Sequence, residues 1–143
     1  MTAERFVLDA SVSLEWFLPG GRNSAGYAAD VLAAIESNQF APVVPDLWHY
    51  EMASALLAAK RDRRISATKL RSAASQLTAL QPETLSIQLT ASQWIDAGAR
   101  YHLQGYDAVY FELARRLLVP IASLDGGIRT ACRAHKMNLL QIS

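Results

Sequence analysis

The chain has little that would support a disulfide-linked or membrane-spanning protein. Of its 143 residues, only Cys132 is a cysteine, which excludes an internal disulfide framework and a zinc site built from several cysteines. Uninterrupted apolar runs such as 117–122 stay far below the roughly 18 residues that a membrane span needs. Low-complexity tracts and internal repeats are also absent. These absences leave an ordinary globular domain.

Charge of one sign is equally scarce. The chain has 14 Lys and Arg against 13 Asp and Glu, a formal net charge of +1. This excludes a polycationic surface but not a local basic patch. Residues 1–5 run directly into a short apolar stretch, without the longer apolar segment of a signal peptide. We therefore expect a cytoplasmic protein that has no membrane segment.

Short apolar segments alternate with helical patterns along the whole chain. Strands are predicted at 6–8, 43–44, 84–87, 120–124 and 139–142. Helices are predicted over 12–18, from Asn23 or Ser24 to Ile35, and over 46–61, 66–80, 90–103, 107–118 and 125–136. The alternation is typical of an α/β fold with a parallel sheet covered on both faces. We expect one domain, 1–143, with about five short parallel strands flanked by helices.

Two aspartates follow predicted strands directly. Asp9 comes after the first strand and Asp125 after the fourth. Since parallel α/β sheets bind their ligands beyond the carboxyl ends of the strands, both side chains are expected in one crevice. The alternative is that each aspartate caps the helix that follows it, because Asp is a favoured N-cap residue.

Two further acids have apolar helical neighbours. Glu51 has Leu47, Trp48, Ser54 and Ala55 three and four positions away, which predicts a carboxylate on a packing face. A glutamate extending to solvent from the edge of that face is the alternative. Asp107 opens a helix amid similarly apolar neighbours, although a first-turn Asp also complements the helix dipole.

Four carboxylates in one crevice would repel one another strongly in a medium of low dielectric constant. A divalent cation would relieve this repulsion, and a site of oxygen ligands favours Mg²⁺ or Mn²⁺ over zinc. None of the three histidines is spaced to complete a ligand set with the acids. No Ser–His–Asp or Cys–His arrangement is visible, so nucleophilic catalysis lacks a candidate base.

At these residues the sequence resembles a known family in four successive segments. They are 9–16, with its Asp-x-Ser opening, 45–56 around the glutamate, 106–114, and Ser123–Asp125. Together they are similar to the motifs of the PIN domain, and in particular to the single-domain VapC-type toxins of bacterial toxin–antitoxin pairs. The resemblance runs over nearly the whole chain in the expected order. One departure is the segment 135–138, which lacks the glycine that many relatives carry before the last strand.

The resemblance implies a metal-dependent endoribonuclease. Its acidic quartet, holding one or two Mg²⁺ or Mn²⁺ ions, would be Asp9, Glu51, Asp107 and Asp125. Ser11 and Ser123 match supporting polar positions. The resemblance further implies RNA products with 5′-phosphate and 3′-hydroxyl ends, a small antitoxin protein whose C-terminal segment covers the crevice, and a homodimer. Among other acid-using α/β enzymes, haloacid-dehalogenase-like hydrolases would want an aspartate where Ser11 stands. The alternative function is a non-catalytic PIN-fold module that binds RNA or protein.

A basic cluster and several aromatic residues are candidates for holding RNA. Cations gather between the third and fourth predicted helices, where Lys60, Arg61, Arg63 and Arg64 are candidate contacts to the RNA backbone. Cations at a helix C-terminus also complement the helix dipole, so the cluster has a second explanation. Base-stacking aromatics are present too, but residues of this kind are more often core; they are Trp16, Phe17, Trp48 and Tyr50.

Overall fold

The computed structural model describes residues 2–18, 20 and 25–143, and within these the chain forms four strands and seven helices. The strands are β1 (Glu4–Leu8), β2 (Phe40–Val44), β3 (Glu83–Thr84) and β4 (Ile121–Ala122). The helices are α1 (Ala10–Glu15), α2 (Ala25–Glu36), α3 (Asp46–Arg61), α4 (Ala67–Leu80), α5 (Ala91–Tyr101), α6 (Asp107–Leu117) and α7 (Gly126–Ala134). The N-cap predicted for α2, Asn23 or Ser24, lies outside the described residues. Within the described part, no helix is long and apolar enough to cross a membrane.

The four strands form one parallel sheet in the order β3-β2-β1-β4. Val7 of the central strand β1 pairs with Val43 on one side and with Ile121 on the other. All three side chains are fully buried, because helices cover both faces of the sheet. The predicted α/β class and parallel sheet are therefore confirmed.

The prediction of about five strands is wrong by one in the described residues. Segment 139–142 makes a single parallel bridge, between Leu139 and Ile121. Its backbone bonds reach only Ile121, whose N–H donates to Asn138 O at 3.0 Å and whose oxygen accepts from Leu140 N at 2.8 Å. Because β4 is two residues long and the chain turns away after it, β4 offers a fifth strand little to pair with.

Helix α3, which carries Glu51, is fixed against α1 by a buried polar contact. The indole Nε1 of Trp48 donates to the hydroxyl of Ser13 at 2.9 Å, and both residues are almost fully buried. Met52, one turn further along α3, contacts the same hydroxyl. A satisfied polar contact inside an apolar core sets the position of α3 relative to β1, which leads directly into α1.

Helix starts follow local sequence rules closely. Thr90 and Gln93 form the capping box that their spacing predicts, with the Thr90 hydroxyl accepting from Gln93 N and Gln93 accepting from Thr90 N. Ser66 caps α4 in the same manner by accepting from Lys69 N. The sequence places Asp46 where an N-cap belongs, but Pro45 occupies the N-cap position and Asp46 is the first helical residue of α3. An acid there still complements the helix dipole.

Candidate functional site

The carboxyl ends of β1 and β4 bring distant parts of the chain together. Leu8 is in register with Ala122, and the N–H of Asp9 donates to Ala122 O at 3.0 Å. The next residue of each chain segment therefore lies at the same edge of the sheet, Asp9 on one side and Ser123 on the other. Asp125 follows two residues later. The structure thus places both strand-end aspartates at one edge, where the sequence predicted them.

Two serines hold the carboxylate of Asp9 in a fixed position. Ser11 and Ser123 both donate to its Oδ2, at 2.5 and 2.8 Å. Each hydroxyl oxygen is itself fixed, because Ser11 Oγ accepts from Leu124 N at 2.9 Å and Ser123 Oγ accepts from Asp125 N at 3.0 Å. Among the described residues Oδ1 of Asp9 accepts no hydrogen bond, so it is the oxygen left for a ligand.

Burial disfavours the ionised form of the Asp9 carboxyl. The residue is 4% exposed. Burial raises the pKa of its carboxyl from 3.8 to about 6, the two serine hydrogen bonds oppose that shift, and the charges of Glu51 and Asp125 add to it. Among the described residues, no Lys or Arg forms an ion pair with any of the four acids.

Asp107 is the first residue of helix α6 and, like Asp9, forms no ion pair with a Lys or Arg among the described residues. Its carboxyl is half-buried, and burial is the largest cause that raises its pKa from 3.8 to about 7. The charges of Asp125 and Asp9 raise that pKa further, as does a hydrogen bond shared with Asp125 and the charge of Glu51. The charges of Glu51 and Asp125 thus act on both Asp9 and Asp107.

Glu51 lies at the edge of the packing face of α3 and is half-buried, between the two positions that its neighbours suggested. Its Oε1 accepts a hydrogen bond of 2.6 Å from the hydroxyl of Tyr110. Burial and this contact with Glu51 raise the pKa of Tyr110 far above its ordinary value, so the phenol stays a donor. Because Tyr110 is three residues after Asp107, one turn of α6 carries Asp107 and contacts Glu51.

Sequence reasoning did not assign Tyr110 to the site. A signal was present: Asp107 and Tyr110 are separated by three positions, which places them on one helix face. Tyr110 is 1% exposed, so its aromatic ring alone is explained by the core. Its partner, Glu51, is 59 residues away in the chain, and no local pattern shows that pairing.

Helix capping explains Asp125 in part but not Asp9. Oδ2 of Asp125 accepts from Ile128 N at 2.9 Å and caps α7. Asp9 occupies the N-cap position of α1, yet its side chain makes no capping hydrogen bond and binds the two serines instead. Helix capping therefore does not account for the position of the Asp9 carboxylate.

Within the described residues, Glu112 is a buried acid that, unlike the quartet, is paired with cations. It is 3% exposed on α6, and although burial would raise the pKa of its carboxyl, hydrogen bonds from Arg115, Arg116 and Tyr101 lower it to about 2. Both arginines form ion pairs with it. The quartet lacks such cations among the described residues, which distinguishes it from a structural ion cluster.

The donor set fits a hard divalent cation in its chemistry. Four carboxylates, one of them buried and oriented by two hydroxyls, are the ligands that Mg²⁺ and Mn²⁺ prefer. In the described residues, however, no three His, Cys, Asp or Glu side chains are placed so that they could already hold one ion. Binding would therefore require at least one carboxylate of the quartet to move.

The basic cluster lies at the far end of α3 from the acids. Lys60, Arg61, Arg63 and Arg64 are all exposed. Nine residues separate Lys60 from Glu51, about 14 Å along the helix axis. Arg61 pairs with Asp62 at 3.4 Å, an exposed contact of little energetic weight. Lys60 and Arg61 stand in the last turn of α3, where they complement its dipole, and all four cations are accessible to a phosphate backbone.

An apolar groove formed by the described residues lies away from this acidic edge. It has a volume of about 640 Å³, lies between α3 and α4, and is lined mainly by apolar side chains such as Met52, Leu56, Leu70 and Leu77. No carboxylate lines it. The hydrolytic chemistry expected from the sequence therefore has no counterpart there.

Comparisons with known proteins support the fold of this chain and do not bear on its chemistry. No model of a known protein family matches the sequence. No curated protein matches it either. Among solved structures, the crystal structure of PAE2754 from Pyrobaculum aerophilum is similar, with a TM-score of 0.61 and 18% sequence identity over 92% of this chain and 86% of that one. At this identity, the likeness shows a common fold.

Proposed function

We propose that the chain is a divalent-metal-dependent endoribonuclease that hydrolyses RNA phosphodiester bonds. The observation that carries the proposal is the group of four acids around one sheet edge, in which burial and neighbouring carboxylates raise the pKa of Asp9 and of Asp107 with no cationic partner among the described residues. Keeping such carboxylates together is unfavourable unless a cation joins them. The resemblance of the four sequence segments to PIN domains supports the same proposal.

Each acid would have a defined part in that site. Asp9 would be the fixed ligand, since Ser11 and Ser123 hold its Oδ2. Glu51 on α3, held by the Tyr110 hydroxyl, would be a second ligand. Asp107 and Asp125 would complete the ligand set, and the charge of Asp125 is among the causes that raise the pKa of Asp107 when no cation is present. A bound Mg²⁺ or Mn²⁺ would supply the charge that activates a water and stabilises the phosphoryl oxygens.

The biological setting follows from the resemblance alone. We propose that the chain is the toxin of a VapBC-type toxin–antitoxin pair, acts in the cytoplasm as a homodimer, and is inhibited by a small antitoxin protein. A short upstream reading frame that encodes a DNA-binding protein would support this setting. Co-expression with that upstream protein should relieve growth inhibition, and unrelieved inhibition would contradict the pairing.

A cleavage assay on total cellular RNA tests the activity. We expect cleavage with Mg²⁺ or Mn²⁺, its loss with a chelator, and its loss in Asp107→Asn while RNA binding survives. Products should carry 5′-phosphate and 3′-hydroxyl ends, because hydrolysis by water does not need the RNA 2′-hydroxyl as nucleophile. Cyclic phosphate ends would contradict the mechanism. RNA binding without cleavage by the wild type would favour the non-catalytic binding module.

A further inference from the structure

A second groove opens beside the quartet and is lined by two exposed tyrosines. Its volume is about 500 Å³, within the range of small-ligand sites, and its lining includes Leu14, Leu47, Tyr50, Glu51, Ala55 and Tyr106. Tyr50 is 71% exposed and Tyr106 is 62% exposed. Burying an aromatic side chain favours folding, so two exposed rings beside one groove contribute little to the core.

Both tyrosines are chain neighbours of quartet acids. Tyr50 directly precedes Glu51 on α3, and Tyr106 directly precedes Asp107 at the start of α6. Consecutive Cα atoms are about 3.8 Å apart, so the backbone of each tyrosine adjoins that of a quartet acid. Glu51 itself lines the groove. The groove therefore meets the acidic site at Glu51.

We propose that this groove stacks the base of a nucleotide next to the scissile phosphate, with Tyr50 and Tyr106 as the stacking residues. The proposal rests on the proposed function, because it assigns a substrate subsite to the same acidic edge. Aromatic and aliphatic walls suit the flat face of a base, and every base has such a face. Glu51 is the one charged residue among the described residues of the lining, so a phosphate is not expected inside the groove.

Binding of single-stranded RNA tests the subsite separately from cleavage. The probe is a fluorescently labelled eight-nucleotide RNA of mixed sequence, and its anisotropy is measured with Ca²⁺ as the oxygen-binding cation. Tyr50→Leu and Tyr106→Leu remove a ring but keep apolar bulk, and each should weaken binding about 5- to 100-fold. Tyr50→Phe and Tyr106→Phe keep the ring and should bind like the wild type.

Ile95→Ala is the matched control, since Ile95 is 70% exposed on α5 and does not line the groove. It should leave binding unchanged. Equal binding by the wild type and both leucine variants would overturn the subsite and leave the nuclease proposal standing. Weak binding in the leucine variants without cleavage by the wild type would support the subsite and overturn the nuclease. Wild-type protein that binds no RNA would overturn both.

A protein segment is the competing occupant of the groove. In that case the leucine variants would change the sedimentation coefficient of the protein and leave RNA binding unaltered, which would overturn the stacking subsite. An RNA with one base removed distinguishes the two further. If a tyrosine ring and that base form one stack, a leucine variant should bind the RNA that lacks the base no more weakly than either change alone would predict.

Discussion

The hydroxyl of Tyr110 lies 2.6 Å from Oε1 of Glu51 and joins helix α6 to helix α3 across 59 residues of chain. Tyr110 is otherwise a core residue, with its ring 1% exposed. The contact orients a carboxylate that would be free to rotate at the half-buried edge of α3. Tyr110 is thus a positioning residue, acting on the quartet through Glu51.

Tyr110→Phe should therefore separate positioning from packing. The ring stays in the core, so the free energy of unfolding should fall by only about 1 kcal/mol, the net worth of one hydrogen bond. The Mg²⁺ concentration needed for half-maximal cleavage should rise by about tenfold, because an unheld Glu51 is a poorer ligand. Cleavage rates over a Mg²⁺ titration measure this.

The chain offers a matched control in Tyr101, whose hydroxyl donates to Glu112 at 3.0 Å. Tyr101→Phe also removes one hydrogen bond from a tyrosine to a glutamate, but away from the quartet. It should change stability by a similar amount without altering the Mg²⁺ requirement. If both variants shift that requirement equally, Tyr110 has no special relation to the site.

Stability without metal should depend on pH in a direction set by Asp9 and Asp107. The pKa of Asp9 is raised from 3.8 to about 6, and that of Asp107 from 3.8 to about 7. Between about pH 4 and pH 7 the folded protein therefore holds protons that the unfolded chain has released. The contribution of these two groups to stability then falls as pH rises through this window and is constant below it.

The fall that is due to Asp9 should be about 3 kcal/mol, from a shift of roughly two pKa units, and that of the half-exposed Asp107 should be smaller because solvent screens it. Urea unfolding in the presence of a chelator, from pH 2 to pH 8, measures it. Asp9→Asn and Asp107→Asn should each flatten the curve. Stability that shows no such fall across this window would show that these carboxylates ionise as freely in the folded protein as in the unfolded chain.

Glu112 provides an internal reference of opposite sign. Although burial opposes it, hydrogen bonding to arginines lowers the pKa of Glu112 from 4.5 to about 2. Its contribution is thus present above about pH 4.5 and lost as pH falls toward 2. The two windows barely overlap, so one pH series reports on the quartet and on the structural ion cluster separately.

The sequence contained the local parts of this architecture but not its long-range contacts. Thr90 and Gln93 predict their capping box because both partners lie within one turn. Asp9 was predicted at the sheet edge from its place after a strand, yet its two serine bonds needed the register of β1 with β4. Of the candidate stacking residues, Trp48 is core while Tyr50 is exposed, since two positions on a helix face nearly opposite sides.

Metal binding should be visible without any activity. At pH 7.5, Mn²⁺ or Mg²⁺ at about one hundred times its dissociation constant should stabilise the fold by about 2.7 kcal/mol, because the unfolded chain does not assemble the site. For a chain of this size that is a rise in Tm of about 10 °C. Thermal unfolding with and without metal, followed by a chelator, measures it.

Variants decide whether that rise comes from the quartet. Asp9→Asn and Asp107→Asn should remove the metal-dependent rise in Tm and stabilise the metal-free protein, since each lessens carboxylate repulsion. Glu112→Gln should keep the rise while lowering the baseline, because it leaves Arg115 and Arg116 without their buried partner. A metal-dependent rise that persists in Asp9→Asn would place the ion elsewhere in the chain.

The basic cluster makes its own prediction, which tests whether it guides RNA. Each phosphate contact contributes about 0.7 to the slope of log affinity against log salt for a single strand. Replacing Arg63 and Arg64 together with alanine should therefore flatten the slope by about 1.4 if both contact phosphates. Arg133→Ala, which removes an exposed cation from the last turn of α7, is the control and should leave the slope unchanged. An unchanged slope in the double variant would show that these arginines do not contact phosphates. Their interaction with the helix dipole of α3 would then be the remaining explanation of the cluster.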